Sequence, residues 1–150
     1  MTIDSPVGPL AIEVDDDGRL VQIHFGRGDA PPGFEDPACA PVVAQLREYF
    51  AGKRQQFELP LALRGTAFQL AVWNALLTIP YGATTSYGEL ARRIGRPAAV
   101  RAVGAANGAN PIPVIVPCHR VIGSNGTLTG YGGGIERKQW LLALEGRRLF

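Results

Sequence analysis

Apolar and polar residues alternate in two short runs near the start of the chain, "GPLAIEV" and "RLVQIHF", on either side of "DDDG". Alternation puts successive side chains on opposite faces of a strand, and Gly18 supplies the positive φ that a tight connection needs. The two runs therefore predict a β-hairpin. "DPACAPVVAQLREYFAG" shifts to the helical period and predicts a helix that stops at Gly52. "QFELPLAL" predicts one more strand, at a sheet edge because Pro60 cannot donate to a ladder. Together these elements describe a small α/β lobe that gives way to something else near residue 65.

From Gly65 to Gly88 no residue is charged. Thr66 is placed to cap a helix through "AFQLAVWNALLTI", whose apolar residues occupy nearly every face, so this helix is expected at the centre of a core. "IPYGATT" reads as a turn. Ser86 followed by Glu89 forms a capping box ahead of a short helix, "YGELARRI", which Gly95 ends. Pro97 then takes the first position of another helix, "PAAVRAVGAANG", and the pair has the pattern of a helix-turn-helix with a turn of about three to four residues. On that second helix Val100 and Val103 are expected to face the core, while Ala98, Arg101, Ala102 and Ala105 share the opposite face. An alanine-lined face has two readings. Alanines favour helix and pack closely against another helix, or their small side chains let the backbone approach a nucleic-acid groove that Arg101 could enter.

Charge bears on that choice. Residues 1–63 carry 5 basic and 10 acidic side chains, net −5, whereas residues 64–150 carry 10 basic and 3 acidic, net +7. The second part therefore offers the face for an anionic partner, with nucleic acid the leading candidate. A length of 150 residues with 46% hydrophobic content suits one sizeable core that can divide into two lobes. No apolar run is long enough to span a membrane, and "MTIDSPVGPL" has neither a basic n-region nor an apolar h-region, so the expectation is a cytoplasmic protein. Two widely separated cysteines, Cys39 and Cys118, do not suggest a structural disulfide in that compartment.

Residues 110–123, "NPIPVIVPCHRVIG", set Cys118 and His119 behind three prolines and a β-branched run. Proline fixes φ, so Pro111, Pro113 and Pro117 stiffen the approach to Cys118. A cysteine nucleophile reacts as thiolate, and burial opposes ionisation, so a base or a positive field must accompany it. His119 is the obvious partner, although sequence neighbours normally point apart and a bridging water is the more natural connection. A Cys-His dipeptide alone specifies no geometry and is more often a structural pair.

"PCHRVIGSNGTLTGYGGGIERKQWLLALEG", together with "FQLAVWNALLTIPYGATTSYGELARRIGRPAAVRAVGAANGANPIP" before it, resembles the O6-alkylguanine-DNA alkyltransferases, whose hallmark is PCHRV. The likeness runs over about residues 65–149; in the first lobe "SPVGPL" is the most similar part. It implies a mixed α/β (α+β) fold, with an N-terminal α/β lobe over 1–63. A mainly helical DNA-binding and alkyl-acceptor domain would follow over 64–150. It also implies irreversible transfer of an alkyl group from O6 of guanine, and from O4 of thymine, in double-stranded DNA to Cys118. By the same resemblance His119 is the base acting through water, Glu145 orients it, and Asn110 braces the turn that holds the cysteine. Tyr87 would protonate the leaving guanine. Arg101 would fill the gap left by a flipped nucleotide, with Ala98, Ala102 and Ala105 against the minor groove. Tyr131, Gly132 and Gly133 would wall the guanine pocket, and the carbonyls of Cys118 and Val121 would read the exocyclic amine.

The chemistry suits these residue types. Displacement at an alkyl carbon needs a soft nucleophile held in line, and the leaving O6 needs hydrogen-bond donors. Glycine at 132 stands where some relatives have serine, leaving only a backbone donor there. His24 and Cys39 are too few for a four-ligand zinc site, so no metal or other cofactor is expected. The extra N-terminal domain of regulatory relatives is not expected, which argues against a transcription-factor role, and the protein is expected to act as a monomer. Two rivals are a cysteine hydrolase, which would have no use for Arg101 and the paired helices, and a non-enzymatic damage-binding relative, in which the acceptor cysteine is replaced.

Overall fold

The computed structural model describes residues 1–146 except 32, 127 and 129. The end of the family resemblance, with Arg147 and Arg148, lies outside the described residues. The chain divides into two compact units, the first Met1–Leu63 and the second beginning at Arg64.

In the first unit β1 (Thr2–Ile3), β2 (Leu10–Val14) and β3 (Leu20–Phe25) form an antiparallel sheet in chain order. The hairpin register pairs Leu10 with Phe25 and Ile12 with Ile23, and Gly18 has φ +76° in the connection. Leu10, Ile12, Leu20 and Ile23 are buried, while Gln22 and His24 are exposed. Asp36 accepts the amide of Ala38 at the head of a 3-10 turn that leads into α1 (Ala40–Phe50). Helical spacing buries Val42, Val43, Leu46 and Tyr49 on one side of α1, and Gly52, at φ +75°, ends it. The tail "QFELPLAL" is not a strand. Pro60 presents only its carbonyl, which accepts from Leu20 N at 2.8 Å, and a single parallel bridge between Leu20 and Leu61 is all that forms.

The second unit packs α2 (Ala67–Leu76), α3 (Tyr87–Arg93) and α4 (Val100–Gly108) against one another. Thr66 and Gln69 complete a capping box at the start of α2. Only one side of α2 is buried, through Val72, Trp73 and Leu76, whereas Ala71, Asn74 and Leu77 are exposed; the uncharged stretch is not a helix enclosed on every face. Ser86 accepts the Glu89 amide, but the Glu89 carboxylate turns to Arg92, so the capping box of α3 is half made.

The recognition-like helix begins three residues later than its sequence suggests. Proline disfavours helical geometry in the residue before it, so Arg96 does not continue from Gly95 (φ +74°) into a helix. Instead Ala99 N closes a turn on Arg96 O at 2.9 Å, and Val100 is the first helical residue, after a connection at residues 94–99 that is longer than expected. This shift leaves Val100 39% exposed; the buried stripe of α4 is Val103, Ala106 and Asn107. Beyond it, β4 (Thr85–Ser86) pairs in parallel with β5 (Val121–Ile122), and α5 (Ile135–Leu144) packs on the 3-10 turn Cys118–Arg120. Among the described residues no helix is long and apolar enough to cross a membrane.

Thr66→Ala removes the acceptor for the Gln69 amide and should cost the second unit about 1 kcal/mol. Both tryptophans, Trp73 and Trp140, belong to that unit, so fluorescence-detected urea unfolding reads the loss as a lower midpoint.

Candidate active site

Asn110 organises the segment that carries Cys118. Its Nδ2 donates to Val116 O at 2.8 Å and its Oδ1 accepts from Ile112 N at 3.0 Å, closing the proline-rich run into a loop. Val114 lies inside that loop at φ +74°, a left-handed conformation costly for a β-branched residue and sustained here by its enclosure. Cys118 N then donates to Val116 O at 2.8 Å and the chain enters the 3-10 turn.

Cys118 is 5% exposed. Burial pushes its thiol up from the usual range, opposed by the Asn110 side chain, the Lys138 ammonium and the Tyr131 hydroxyl, all of which favour the thiolate. Burial also pushes Tyr131 well above the ordinary tyrosine range.

The neighbouring His119 turns to a different partner. Its Nε2 lies 2.8 Å from Glu145 Oε2, and both side chains are fully buried. Arg120 clamps the same carboxylate, with Nε 2.7 Å from Oε1 and Nη2 3.1 Å from Oε2, and donates Nη1 to Ile79 O at 2.6 Å. Tyr81, whose ring lies 5.9 Å from the Arg120 guanidinium, donates its hydroxyl to Leu144 O and so holds the end of α5 from which Glu145 projects. Burial pulls His119 below its usual range and outweighs the Glu145 carboxylate, which acts the other way. A neutral imidazole beside a carboxylate donates from the facing nitrogen, so Nε2 carries the hydrogen and Nδ1 the lone pair. Nδ1 is buried and has no hydrogen-bond partner among the described residues.

The fold thus gathers Cys118, His119, Asn110, Glu145 and Tyr131. Val121 is in the same neighbourhood, its carbonyl accepting from Lys138 Nζ at 2.6 Å. Gly133 is buried and its carbonyl accepts from Arg137, whereas Gly132 is exposed. A Cβ built on Gly132 would come no nearer than 3.9 Å to Gly108 O, so serine's larger volume has room there. Tyr87 opens α3, half-buried, with its ring edge facing Gly104 of α4. Arg101, Ala102 and Ala105 are exposed on α4, and Ala98 is exposed in the turn before it.

Sequence reasoning passed over Arg120, Lys138, Asn107 and Tyr81. Arg120 stands inside the PCHRV motif, which was the available signal. Lys138 lies in "IERKQW" and gives none, yet it is fully buried, and burial brings its ammonium down to about 8. Among the described residues no group of three His, Cys, Asp or Glu side chains is placed to hold a metal.

Two family profiles cover the chain: "6-O-methylguanine DNA methyltransferase, ribonuclease-like domain" over residues 1–63 and "6-O-methylguanine DNA methyltransferase, DNA binding domain" over residues 67–147. The methylated-DNA--protein-cysteine methyltransferase of Mycobacterium tuberculosis (strain H37Rv) is 54% identical over 98% of this chain and 92% of its own length. A crystal structure of the Mycobacterium tuberculosis OGT in complex with DNA superposes with a TM-score of 0.87 at 55% identity, covering 96% of this chain and 90% of that one. The Schizosaccharomyces pombe Atl1, solved with damaged DNA containing O6-carboxymethylguanine, matches 59% of this chain and 83% of its own at 37% identity and a TM-score of 0.53. With both profiles matched and more than half of its residues shared with such relatives, this chain belongs to the 6-O-methylguanine DNA methyltransferase family.

Proposed function

We propose that this protein repairs DNA by direct reversal, taking the alkyl group from O6-alkylguanine, and from O4-alkylthymine, in a duplex onto Cys118, once per molecule. The observation that carries this reading is the buried thiol next in sequence to a buried histidine whose Nε2 is tied to a buried carboxylate. Its support from relatives is the 54% identity to a methylated-DNA--protein-cysteine methyltransferase.

The Cys118 thiol gives up its proton through water to His119 Nδ1, and Glu145 balances the charge that the imidazole gains. Sγ forms a bond to the alkyl carbon as the carbon–O6 bond breaks, and its electron pair stays on the guanine oxygen. Tyr87 supplies a proton to the leaving base, while the backbone at Gly132 and Gly133 donates to O6. Tyr131 walls the pocket, and the carbonyls of Cys118 and Val121 read the amine. The product thioether has no easy leaving group, so the cysteine is not regenerated. The first unit is then an α/β lobe and the second the DNA-binding and alkyl-acceptor domain of a cytoplasmic monomer.

The substrate atom lies inside a duplex, so the nucleotide must leave the stack. Arg101 stands exposed among Ala98, Ala102 and Ala105, small enough for α4 to approach the minor groove closely. A damage-binding role of the Atl1 kind would need only that face and the pocket; Cys118 favours transfer.

Mixing the protein with duplex DNA carrying O6-methylguanine should add one methylene to the mass of Cys118, at most once per molecule. Repeated repair by one molecule, or a label on Cys39 with Cys118 clean, contradicts the proposal. Arg101→Ala should slow repair of the duplex within the bound complex, by at most the few kcal/mol it costs to unstack a base, and leave the reaction with free O6-benzylguanine near normal. Equal losses on both substrates, in single-turnover kinetics, would make Arg101 a support of the pocket.

A further inference from the structure

Asn107 is a buried amide on a helix otherwise rich in alanine, and the reaction as described gives it no task. It lies in the last turn of α4, 4% exposed. Its Nδ2 donates to Cys118 O at 3.4 Å. That carbonyl belongs to the peptide joining Cys118 to His119, so the amide head of Asn107 is anchored on the link between nucleophile and base. The other end of the amide, Oδ1, is buried and has no hydrogen-bond partner among the described residues. His119 Nδ1 is in the same condition. A buried polar atom left unpaired is costly, so two next to the peptide of one cysteine call for a common explanation.

Hydrogen-bond chemistry restricts the explanation. Asn Oδ1 is an acceptor only, and His119 Nδ1 is an acceptor because Nε2–H is committed to Glu145. Two acceptors cannot satisfy each other. One water between them would satisfy both, giving one hydrogen to each, with its lone pairs left to accept the thiol hydrogen of Cys118. Buried waters typically make about three such bonds.

We infer that Asn107 is a positioning residue of the alkyl transfer, holding the relay water between Cys118 and His119 by accepting its second hydrogen. The inference rests on the proposed function and deepens it. When the thiol ionises, the S–H bond breaks and an O–H bond forms on the water, while the hydrogen facing His119 passes to Nδ1. The hydrogen facing Asn107 stays on the oxygen throughout. Without that acceptor the water is free to turn its second hydrogen toward sulfur, where it cannot accept the thiol proton. Because the amide comes from α4, the helix that carries Arg101 also orders the proton path.

The groups that bear on Cys118 are the Asn110 amide, Lys138 and the Tyr131 hydroxyl, with His119, Glu145 and Arg120 behind them. All are retained in an Asn107 variant, so the difference from the unaltered protein isolates this residue. The test is the rate of modification of Cys118 against pH, with free O6-benzylguanine and separately with iodoacetamide, read by peptide mass so that Cys39 is not counted. Asn107→Leu, of similar size and without polar atoms, should move the midpoint of both profiles upward. Each unit of that shift is about a tenfold loss of rate at pH 7, and the rates should converge on those of the unaltered protein at high pH. Asn107→Ser, which still bonds water, should recover part of the shift, and it carries the test if the leucine variant does not fold. Profiles unchanged in midpoint, or lowered by one factor at every pH, overturn the inference. Failure of the unaltered protein to take the benzyl group, with the iodoacetamide profiles still displaced, would contradict the proposed function and leave the water assignment standing.

Discussion

A single buried carboxylate holds this site together. Glu145 lies at the end of α5 with its side chain out of water, and burying an isolated carboxylate costs several kcal/mol even after relaxation. Arg120 answers that cost with two hydrogen bonds, and His119 takes the remaining position. Arg120 and His119 are consecutive in the 3-10 turn that begins with Cys118, so the carboxylate fixes the nucleophile's turn against α5. The remaining guanidinium nitrogen reaches Ile79 O, and Tyr81 bonds to Leu144 O, which bring the turn after α2 into the same cluster. Breaking one partner of such a cluster strands a buried charge, which is why its parts behave as one unit.

The cluster also sets the chemistry. Burial pulls His119 below its usual range, which favours the neutral ring, and the carboxylate decides which of its nitrogens holds the hydrogen. The nitrogen that keeps its lone pair is therefore the one turned away from Glu145. Around the thiol, burial and the donors of Asn110, Lys138 and Tyr131 pull in opposite directions. Such a thiol is protected while idle and ionises when a base takes its proton. The same enclosure keeps the loop rigid enough to maintain Val114 in a left-handed conformation.

Local signals were legible where they act locally. Alternation with Gly18 marked the hairpin, Thr66 marked the start of α2, and Gly52 and Gly95 marked ends. Signals that depend on competition were not. Pro97 favours a first helical turn, but it also restricts Arg96, and the turn closed by Ala99 prevailed. Pro60 left its segment a carbonyl to offer and one bridge in place of a strand. At the site, Cys118 and His119 stood out in the motif, whereas Asn110 and Glu145 were named only through the family resemblance; His119 does meet Glu145, and Asn110 does close the loop that leads to Cys118. Arg120, Lys138 and Asn107 did not stand out, because a charged or amide side chain in sequence looks like surface. Only the fold reveals which of them have exchanged water for a carboxylate or a carbonyl.

Proton transfer from Cys118 depends on the protonation of one ring. Nitrogen-15 NMR of the imidazole of His119 at pH 7 measures it directly, with His24, exposed on β3, as an internal reference. The account predicts a neutral ring with hydrogen on Nε2 and an unprotonated Nδ1. A ring protonated on both nitrogens, or a neutral ring with its hydrogen on Nδ1, would contradict it, because Nδ1 would then have no lone pair to offer the Cys118 proton.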